Sequence, residues 1–571
     1  MVWFKGAHLI GAPFSSLILF TQVLSKAMKI LQLLFYSLFL MIAVSCKKET
    51  AVPEQFSFVQ IQVNNKVGGS SFNNLNPIPT VKLQFSAPVD RNSVNKSIQL
   101  NGTSSAHPYS VSYERSDSVI VIMPSTPLDY ASKYSLIILY TLISKQQTLI
   151  DSEHNFSLIT GIDSSDKFPR ITDSQLLTLI QQQTFKYFYD FAHPSCGMAR
   201  ERNSSGDIVT TGGSGFGIMA LIVGMERGFI SRADGVTRLT KILNFLSTCD
   251  RFHGAWPHWM NGSTGKIVPF TTQDNGGDLV ETSFMAEGLI TMRQYLNASD
   301  PVEKTLIDKI NTLCNAIEYD WYTQNQNVLY WHWSPNYGWA MNMQLQGNNE
   351  TLIAYIMAAS SPEHTITRDT YKNGYARNGG IKNGKQFYGI TLPLGQDYGG
   401  PLFFTHYSFL GLDPRKLSDE FANYWQQNVN HSLINYFYCL ANPRQYYGYN
   451  ADCWGLTASD IPGGYTASSP TNDVGVIAPT AAISALPYTP IESMKAIRFF
   501  YYKLGDKTWK QYGFVDSFAL YDFWFADSFL AIDQGPEISM IENYRTGLLW
   551  DLFMSAPEVK TGLTKLGFSY K

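Results

Sequence analysis

Three acidic residues mark the start of one predicted helix. In QDNGGDLVETSFMAEGLITMRQYL, residues 273–296, Asp274 precedes two glycines, and Asp278 and Glu281 follow them one helical turn apart. Steps of three and four return to one side of a helix, so the last two share a face with apolar residues farther along. Asp274 or Asn275 is the predicted N-cap. Burying unpaired carboxylates is costly, so this face predicts a cleft floor at the helix N-terminus. The alternative is a helix start whose acids complement its dipole.

Further acids repeat this arrangement later in the chain. Glu350 follows Gly-Asn-Asn at 347–349 and precedes an apolar run, and Asp533 opens another predicted helix, which also carries Glu537 and Glu542. Each occurrence alone is more often a helix cap than a catalyst. Three of them beside aromatic loops favour a carboxylate-lined sugar cleft.

The composition also suits a sugar cleft. The 571 residues carry a net charge of −3, and 14% of them are aromatic, including 12 Trp and 33 Tyr. Flat amphipathic rings suit sugar faces, although Tyr and Trp are common at any interface. The mixed charges favour neither nucleic acid nor an anionic membrane surface as a partner. The predicted substrate contacts are Trp256, His258, Trp259, Trp333, Trp339, Tyr398, Trp454, Asp533 and Glu542.

Other chemistries match the sequence poorly. It contains no HExxH, no CxxC pair, no phosphate loop and no GxSxG elbow, so no metal or cofactor is expected. The run GGSGFG at 212–217 lacks the preceding strand of a nucleotide fingerprint and is interpreted as a flexible cleft loop. The histidines are single and unspaced, as in polar cleft or core positions.

Helical periodicity extends from residue 170 to 571 and predicts a mainly α domain. Twelve helices separated by loops of unequal length would form six hairpins closed into an (α/α)6 toroid, with long aromatic loops on one face. The predicted helices are Ser174–Phe191, Gly215–Glu226, Arg232–Ser247, Asp278–Leu296, Val302–Tyr319, Asn349–Ser360, Leu402–Leu410, Leu417–Leu440, Val476–Leu486, Ile491–Tyr502, Glu537–Phe553 and Pro557–Leu566.

The region before this domain has a different pattern. Short period-two runs between 53 and 160 predict a β-sandwich, followed by a polar linker at 161–169. Within the sandwich, LQFSAPVDRNSVNKSIQL (83–100) resembles bacterial Ig-like domains. Residues 1–46 resemble a bacterial lipoprotein signal, with Ala43–Cys46 as the lipobox, Cys46 as the lipidated residue and Met28 as a better start than Met1. A monomer anchored by lipid in the cell envelope is therefore expected. The other five cysteines are scattered and predict neither a disulfide framework nor a metal site.

Five motifs carry a resemblance to a known family. They are TGGSGFGIMAL (211–221), QDNGGDLVETSFMAEGLI (273–290), NNETLIAYIMAASSPEH (348–364), GVIAPTAAISALPYTP (475–490) and DQGPEISMIENYRTGLLW (533–550). In this order they resemble the bacterial glucoamylase-like domain of glycoside hydrolase family 144, whose members act on β-1,2-glucan. The resemblance implies an (α/α)6 barrel and a metal-free, anomer-inverting hydrolase. It also implies that the family's cleft acids fall on Asp274, Asp278, Glu281 and Glu350.

The expected mechanism needs one carboxylic acid and one carboxylate on opposite faces of the glycosidic bond. Asp278 and Glu281 lie too close in sequence to be that pair. We therefore expect Glu350 as the general acid and Asp278 or Glu281 as the base, with Asp274 orienting the site; the reverse direction stays open. Alternatives are a non-catalytic glycan-binding lipoprotein, a hydrolase of another β-glucan, and a polysaccharide lyase. The sandwich is either a spacer or a block at one end of the cleft.

Overall fold

The computed structural model describes residues 55–102 and 105–570. The predicted signal segment and Cys46 lie outside these residues. The described chain is β-rich as far as residue 160 and mostly helical after it.

Nine strands form two packed sheets in the N-terminal region. They are β1 (Phe58–Val63), β2 (Lys66–Val67), β3 (Ser71–Leu75), β4 (Val81–Phe85), β5 (Ile98–Asn101), β6 (Tyr109–Glu114), β7 (Val119–Pro124), β8 (Lys133–Ile138) and β9 (His154–Thr160). One sheet has the order β2-β1-β4-β7-β6, and the other has the order β3-β9-β8-β5, with β3 parallel to β9. The short helix α1 (Arg91–Ser97) precedes β5. Alternate residues such as Leu83 and Leu136 are buried between the sheets, as period-two strands require.

Twelve longer helices follow. They are α2 (Asp173–Tyr189), α3 (Thr211–Glu226), α4 (Arg232–Leu246), α5 (Leu279–Tyr295), α6 (Pro301–Asn315), α7 (Leu352–Ser360), α8 (Tyr424–Ala441), α9 (Pro479–Ser484), α10 (Pro490–Arg498), α11 (Ala531–Arg545), α12 (Leu548–Ser555) and α13 (Pro557–Leu566). Helices α3, α5, α7, α9 and α11 are buried on nearly all sides, which is typical of helices enclosed by others. Helices α4, α6 and α13 bury only one face.

Small β elements connect the helices. Strands β10 (Ile208–Thr210), β11 (Trp259–Asn261) and β12 (Ile267–Val268) form a three-stranded sheet, and β13 (Gly277–Asp278) pairs with β14 (His332–Trp333). Four hairpins follow: β15–β16 (Gln386–Phe387 and Ile390–Thr391), β17–β18 (Ala458–Ile461 and Gly464–Ala467), β19–β20 (Trp509–Lys510 and Gly513–Phe514) and β21–β22 (Phe518–Ala519 and Trp524–Phe525).

The N-terminal ends of the enclosed helices meet at one end of the domain. The Gly212 amide of α3 donates to Glu281 Oε2 of α5 at 2.6 Å. The Thr480 hydroxyl of α9 donates to the carbonyl oxygen of Asp533 in α11 at 2.9 Å. This end carries the candidate site described below.

Several predicted helix boundaries were wrong; the helix predicted over Leu417–Leu440, for example, is Tyr424–Ala441. The segment predicted as the helix Leu402–Leu410 forms two 3₁₀ turns. The Thr405 hydroxyl donates to the Leu402 carbonyl oxygen, which an α-helix would pair with a backbone amide. The predicted helix Glu537–Phe553 starts at Ala531 and is split into two by Gly547, whose φ of +74° ends the first. The segment GGSGFG lies in the first two turns of α3 and is not a loop.

The segment between the two regions is fixed to the helical domain. The Lys167 amide donates to the Tyr502 carbonyl at 2.7 Å, Lys503 pairs with Asp166 at 2.8 Å, and the Phe168 ring stacks on Tyr501 with centroids 4.6 Å apart. The β-sandwich is thereby held against the helices. Among the described residues, no helix combines the length and the apolar character needed to span a membrane.

Candidate active site

A cavity of about 400 Å³ opens where the enclosed helices begin. Thr210 before α3, Glu281 in the first turn of α5, and Leu530 and Ile532 at the start of α11 lie in its wall. The rest of the wall is aromatic or charged, and consists of Glu201, Arg202, His258, Trp259, Phe270, Phe403, Tyr407 and Tyr465 with Ala458. Rings and a few convergent polar groups are the usual lining of a sugar or small-molecule cleft.

Of the three acids predicted at the start of α5, Glu281 lines the cavity, and Asp274 and Asp278 do not. Its Oε2 accepts a hydrogen bond from the Gly212 amide and a longer one, 3.3 Å, from the Thr210 hydroxyl. A Cβ on Gly212 would stand 2.7 Å from Oε2, so glycine is required for this approach. Burial raises the pKa of Glu281 above its usual range, while the positive charge of His258 acts in the opposite direction.

Asp278 is fully buried and all its hydrogen-bonding capacity is in use. Its Oδ1 accepts from the amides of Val280 and Glu281, both at 2.9 Å, so Asp278 and not Asp274 or Asn275 is the N-cap of α5. Its Oδ2 accepts from Trp331 Nε1 at 2.8 Å and lies 3.0 Å from His258 Nδ1. This carboxylate therefore orients its neighbours and has no free face for a water molecule.

His258 lies between the two carboxylates at the cavity wall. Burial opposes its charged form, yet Glu281 and Asp278 together raise the pKa of His258 to about 9. His258 is therefore protonated at neutral pH. Its ring stacks on Phe270 with centroids 4.4 Å apart. A fixed positive charge beside Glu281 favours the ionised carboxylate.

Asp274 lies beneath the cavity. Its side chain is 1% exposed, and Oδ1 stands 3.1 Å from Nε2 of the equally buried His332. The Gly276 amide points to the same imidazole nitrogen at 3.1 Å. Neither carboxylate oxygen of Asp274 has a hydrogen-bond partner in the described structure, and Asp274 is not part of the cavity lining.

Glu350 stands just before α7, after the left-handed turn at Gly347. Ser408 holds it, because its hydroxyl donates to the Glu350 carbonyl and accepts from the Ile353 amide at 3.0 Å. Burial raises the pKa of Glu350 to about 7, with further contributions from the charges of Asp278 and Glu281. The charge of Glu350 in turn raises the pKa of Tyr407 in the cavity wall, so these groups form one electrostatic cluster.

A second set of carboxyl groups lies under the opposite wall. Asp516 and Asp533 are each 2% exposed, and both oxygens of Asp533 lack a hydrogen-bond partner in the described structure. Burial raises the pKa of Asp516 to about 7 and that of Asp533 well above its usual range. Asp533 affects Tyr407 and Tyr465 electrostatically and lies behind them, so it does not line the cavity. The charge of Asp516 adds to the effect of burial on Asp533.

Arg202 links two acids at the mouth of the cavity. Its Nε contacts Glu201 at 3.0 Å and its Nη1 contacts Asp460 at 3.1 Å. No motif in the sequence indicated these residues, because Glu201 and Asp460 are far apart in the chain. The charged run Arg200-Glu201-Arg202 was the only sign of a polar site there.

Several predicted substrate contacts lie elsewhere. Trp256 and Trp454 are fully buried in the core, where the Arg251 guanidinium covers the Trp256 ring and the Trp454 indole donates to the Glu492 carbonyl. Glu542 is buried in an ion pair with Arg227 at 2.7 Å, near the end of α11 and away from the cavity. These three cannot contact a substrate because they have no exposed surface in the cleft.

The remaining predicted contacts divide into two groups. His258 and Trp259 line the cavity. Trp333, Trp339 and Tyr398 are partly exposed but lie outside its lining, and Trp339 packs on Tyr322 and Tyr330. Tyr407, Tyr465, Phe403 and Phe270 line the cavity and were missed, because an isolated Tyr or Phe has no distinguishing pattern.

One group of described residues is close enough to bind a metal ion. His258, Asp274 and Asp278 bring ligand atoms within 4.8 Å of one another. His258 and Asp278 already form a hydrogen bond with each other, however, and Trp331 occupies the same carboxylate oxygen. This arrangement is better suited to orienting the imidazole than to binding a metal.

Comparison with known proteins gives family matches over both regions. Residues 342–557 match the Glycoamylase family model, residues 61–157 match a bacterial Ig-like domain, and residues 180–289 match DUF3131, a family of unknown function.

Related proteins include both characterised enzymes and solved structures. An exo β-1,2-glucooligosaccharide sophorohydrolase (non-reducing end) of Parabacteroides distasonis is 44% identical over 442 residues, which are 73% of this chain; this chain spans 61% of the relative's length. The endo-β-1,2-glucanase structure from Chitinophaga pinensis, with sophorotriose and glucose, is 51% identical with a TM-score of 0.69, covering 70% of this chain and 99% of that one. A β-1,2-glucanase structure from P. distasonis is 36% identical with a TM-score of 0.68, covering 89% of this chain and 74% of that one. The chain thus belongs to the glucoamylase-like group of glycoside hydrolase family 144, with a bacterial Ig-like domain in front of its helical domain.

Proposed function

We propose that this protein hydrolyses β-1,2-linked glucan or its oligosaccharides. The observation that carries the proposal is the pair Glu281 and Glu350. Glu281 lines the aromatic cavity in the first turn of α5, and its charge contributes to the raised pKa of Glu350, which stands just before α7. The relatives named above act on β-1,2-glucans, which supports this linkage.

The two carboxyl groups suit the two roles that glycoside hydrolysis requires. A pKa of about 7 keeps much of Glu350 protonated near neutral pH, so it can donate a proton to the leaving oxygen as the general acid. The Gly212 amide and the charged His258 favour the ionised form of Glu281, which can take a proton from the attacking water. Water then replaces the leaving group on the opposite face, and the anomeric configuration inverts. Asp278 orients His258 and Trp331, and Asp274 positions the preceding loop.

We also propose that the helical domain closes as an (α/α)6 toroid. Enclosed and one-sided helices alternate along much of the chain, and the enclosed helices contact each other: α3 contacts α5 and α11, and α5 contacts α7. An inner ring surrounded by an outer ring produces this alternation. We further propose that the protein is a monomer, anchored in the cell envelope by a lipid on Cys46.

The experiment is product analysis of the purified chain and two isosteric variants. The wild type should release short products from linear β-1,2-glucan and leave β-1,3- and β-1,4-glucans intact. Glu350→Gln and Glu281→Gln should each lower kcat by about 10²- to 10⁴-fold, the usual effect of removing a general acid or base. Glu363→Gln, at an exposed position next to α7, is the matched control and should change nothing.

Two outcomes would contradict this assignment. If either cleft variant kept a near-normal rate, that residue would be a structural carboxylate. If the wild type bound β-1,2-glucan without cleaving any glucan, the protein would be a glycan-binding member of the family.

A further inference from the structure

A polar groove separates the β-sandwich from the helical domain. It encloses about 750 Å³, a volume within the range of ligand sites. Its floor is the outer face of the sheet β3-β9-β8-β5. Its opposite wall is Asp522 and Phe523, at the tip of the hairpin β21–β22.

The floor of the groove carries a straight row of small polar side chains. The strand register places Ser71 opposite Ser157, Ser157 opposite Ser135, and Ser135 opposite Asn101. Residues opposite one another share a face of the sheet, and neighbouring strands lie about 4.8 Å apart, so the row extends for about 14 Å. The Ser157 hydroxyl is shielded from solvent and has no hydrogen-bond partner in the described structure.

The row has the chemistry of a neutral hydroxyl-rich ligand. The hydroxyls of Ser71 and Ser135 and the Asn101 amide offer donors and acceptors without net charge. The charged side chains of Lys133 and Asp522 pair with each other at 3.3 Å across the groove, so neither requires a charged ligand. A nucleic acid or an acidic polymer would need unpaired basic residues here.

Phe523 adds an aromatic ring to the opposite wall. Its φ of +47° is a left-handed conformation that is unfavourable for an aromatic residue. The ring is held edge-on to Tyr447 with centroids 5.8 Å apart, and it remains partly exposed. A strained backbone that presents a partly exposed ring to a polar groove is a further indication of a binding site.

The groove is connected to the active-site cavity by the same hairpin. Behind the tip, Trp524 and Phe525 line a second polar depression together with Arg202 and Tyr465. Arg202 and Tyr465 also line the cavity that contains Glu281. A polymer leaving the cavity past Tyr465 would therefore pass over Trp524 and reach Phe523 and the serine row.

We propose that this interdomain groove binds a segment of the glucan chain that lies outside the active-site cavity. The site holds a polymer by polar contacts to Ser71, Ser135 and Asn101 and by the ring of Phe523. The groove makes the enzyme prefer long chains over short oligosaccharides. This inference rests on the proposed function for the identity of the sugar.

Two variants of the full chain test the groove. Ser71→Val combined with Ser135→Val removes two hydroxyls and keeps residues that favour strands. Phe523→Asn removes the ring and keeps a residue that tolerates the left-handed backbone. The matched control is Ser110→Val combined with Ser112→Val, on exposed positions of β6 in the other sheet.

The readout is the KM for polymeric β-1,2-glucan against that for a trisaccharide. Each groove variant should raise the KM for the polymer about tenfold, the equivalent of one or two net hydrogen bonds or one ring contact, with unchanged kcat. Values for the trisaccharide, and all values for the control variant, should stay as in the wild type. Equal changes for both substrates, or none for either, would overturn the proposal.

Binding of the polymer is measured separately by affinity electrophoresis. Wild-type protein should be retarded by β-1,2-glucan in the gel, and both groove variants should be retarded less. This measurement does not need turnover, so it still tests the groove if the chain cleaves no glucan. Undiminished retardation of both variants would overturn the groove as a binding site.

Discussion

Four acids that the sequence grouped together have different environments. Asp278 has every lone pair occupied, Asp274 is buried beside His332, Glu281 lines the cavity, and Glu350 has a pKa raised to about 7. A buried, fully hydrogen-bonded carboxylate cannot accept a proton from water without breaking its own contacts. For this reason we assign the acid and base roles to Glu350 and Glu281.

The pH dependence of activity should follow the proton on Glu350. Because this carboxyl group has a pKa of about 7 and acts in the protonated form, kcat should fall as the pH rises through about 7. A kcat profile on β-1,2-glucan from pH 4 to pH 9 measures this. A plateau that continues unchanged to pH 9 would mean that another group donates the proton.

Glu350 should also affect the pH dependence of stability. Its pKa is raised from 4.5 to about 7 on folding, so the folded state binds more protons between these values. The stability that this proton contributes is complete below pH 4.5 and is lost as the pH rises through about 7. The difference in Tm between Glu350→Gln and the wild type should therefore shift in favour of the variant when the pH is raised from 5 to 8. A constant difference in Tm, as expected for the Glu363→Gln control, would contradict the raised pKa.

At the scale of elements, the site depends on the close crossing of α3 and α5. A Cβ on Gly215 would lie 2.4 Å from the Phe284 carbonyl oxygen, and a Cβ on Gly288 would lie 2.2 Å from the Gly215 carbonyl oxygen. Glycine inside a helix costs about 1 kcal/mol relative to alanine. Here the two glycines allow the backbones of α3 and α5 to approach closely, and this brings the start of α3 to Glu281.

Gly215→Ala should therefore destabilise the protein and impair the site. The new methyl group meets backbone that cannot move alone, so we expect a loss of about 1–3 kcal/mol, as for overpacked cores, together with a lower kcat. Gly235→Ala in α4 is the matched control, because its methyl group meets the flexible side chain of Met225. Thermal unfolding of both variants compares them. Equal stability would show that the crossing of α3 and α5 can relax.

At the scale of the whole molecule, the sandwich has its own core and a fixed position. Its buried residues pack on one another, and the linker is bonded to the segment around Tyr502.

The helical domain alone should keep the product lengths of the full chain. The groove beside the sandwich is open, so removing the sandwich should raise the KM for polymer and leave the cavity that sets product length unchanged. Expression of residues 168–571 and analysis of its products on β-1,2-glucan test this. A shift from one short product to mixed lengths would instead show that the sandwich blocks one end of the cleft.

The proposed lipid anchor also belongs to this scale. Cys46→Ala should give active protein that no longer fractionates with membranes, because the signal segment is far from the helical domain in sequence. Normal membrane fractionation of this variant would contradict the lipoprotein assignment.

The sequence alone determined those features that depend on local periodicity. Period-two runs predicted the strands, three- and four-residue steps predicted α5 and most other helices, and ordered motifs predicted the family. These patterns are local because a strand or helix selects residues by their spacing along the chain. The same spacing predicted that Asp274, Asp278 and Glu281 would lie together, and it placed Glu350 at the start of a helix.

Only the tertiary structure decided which of these side chains are free to react. Trp256, Trp454 and Glu542 resemble cleft residues in sequence, but packing encloses them; Glu201, Tyr407 and Tyr465 have no sequence signature, but packing exposes them in the cavity. The occupied lone pairs of Asp278 depend on Trp331 and His258, which come from different parts of the chain. The raised pKa of Glu350 depends on its burial and on the charges of Asp278 and Glu281. Solvation and hydrogen bonding between distant segments set the chemistry of a carboxyl group, and no spacing along the chain records them.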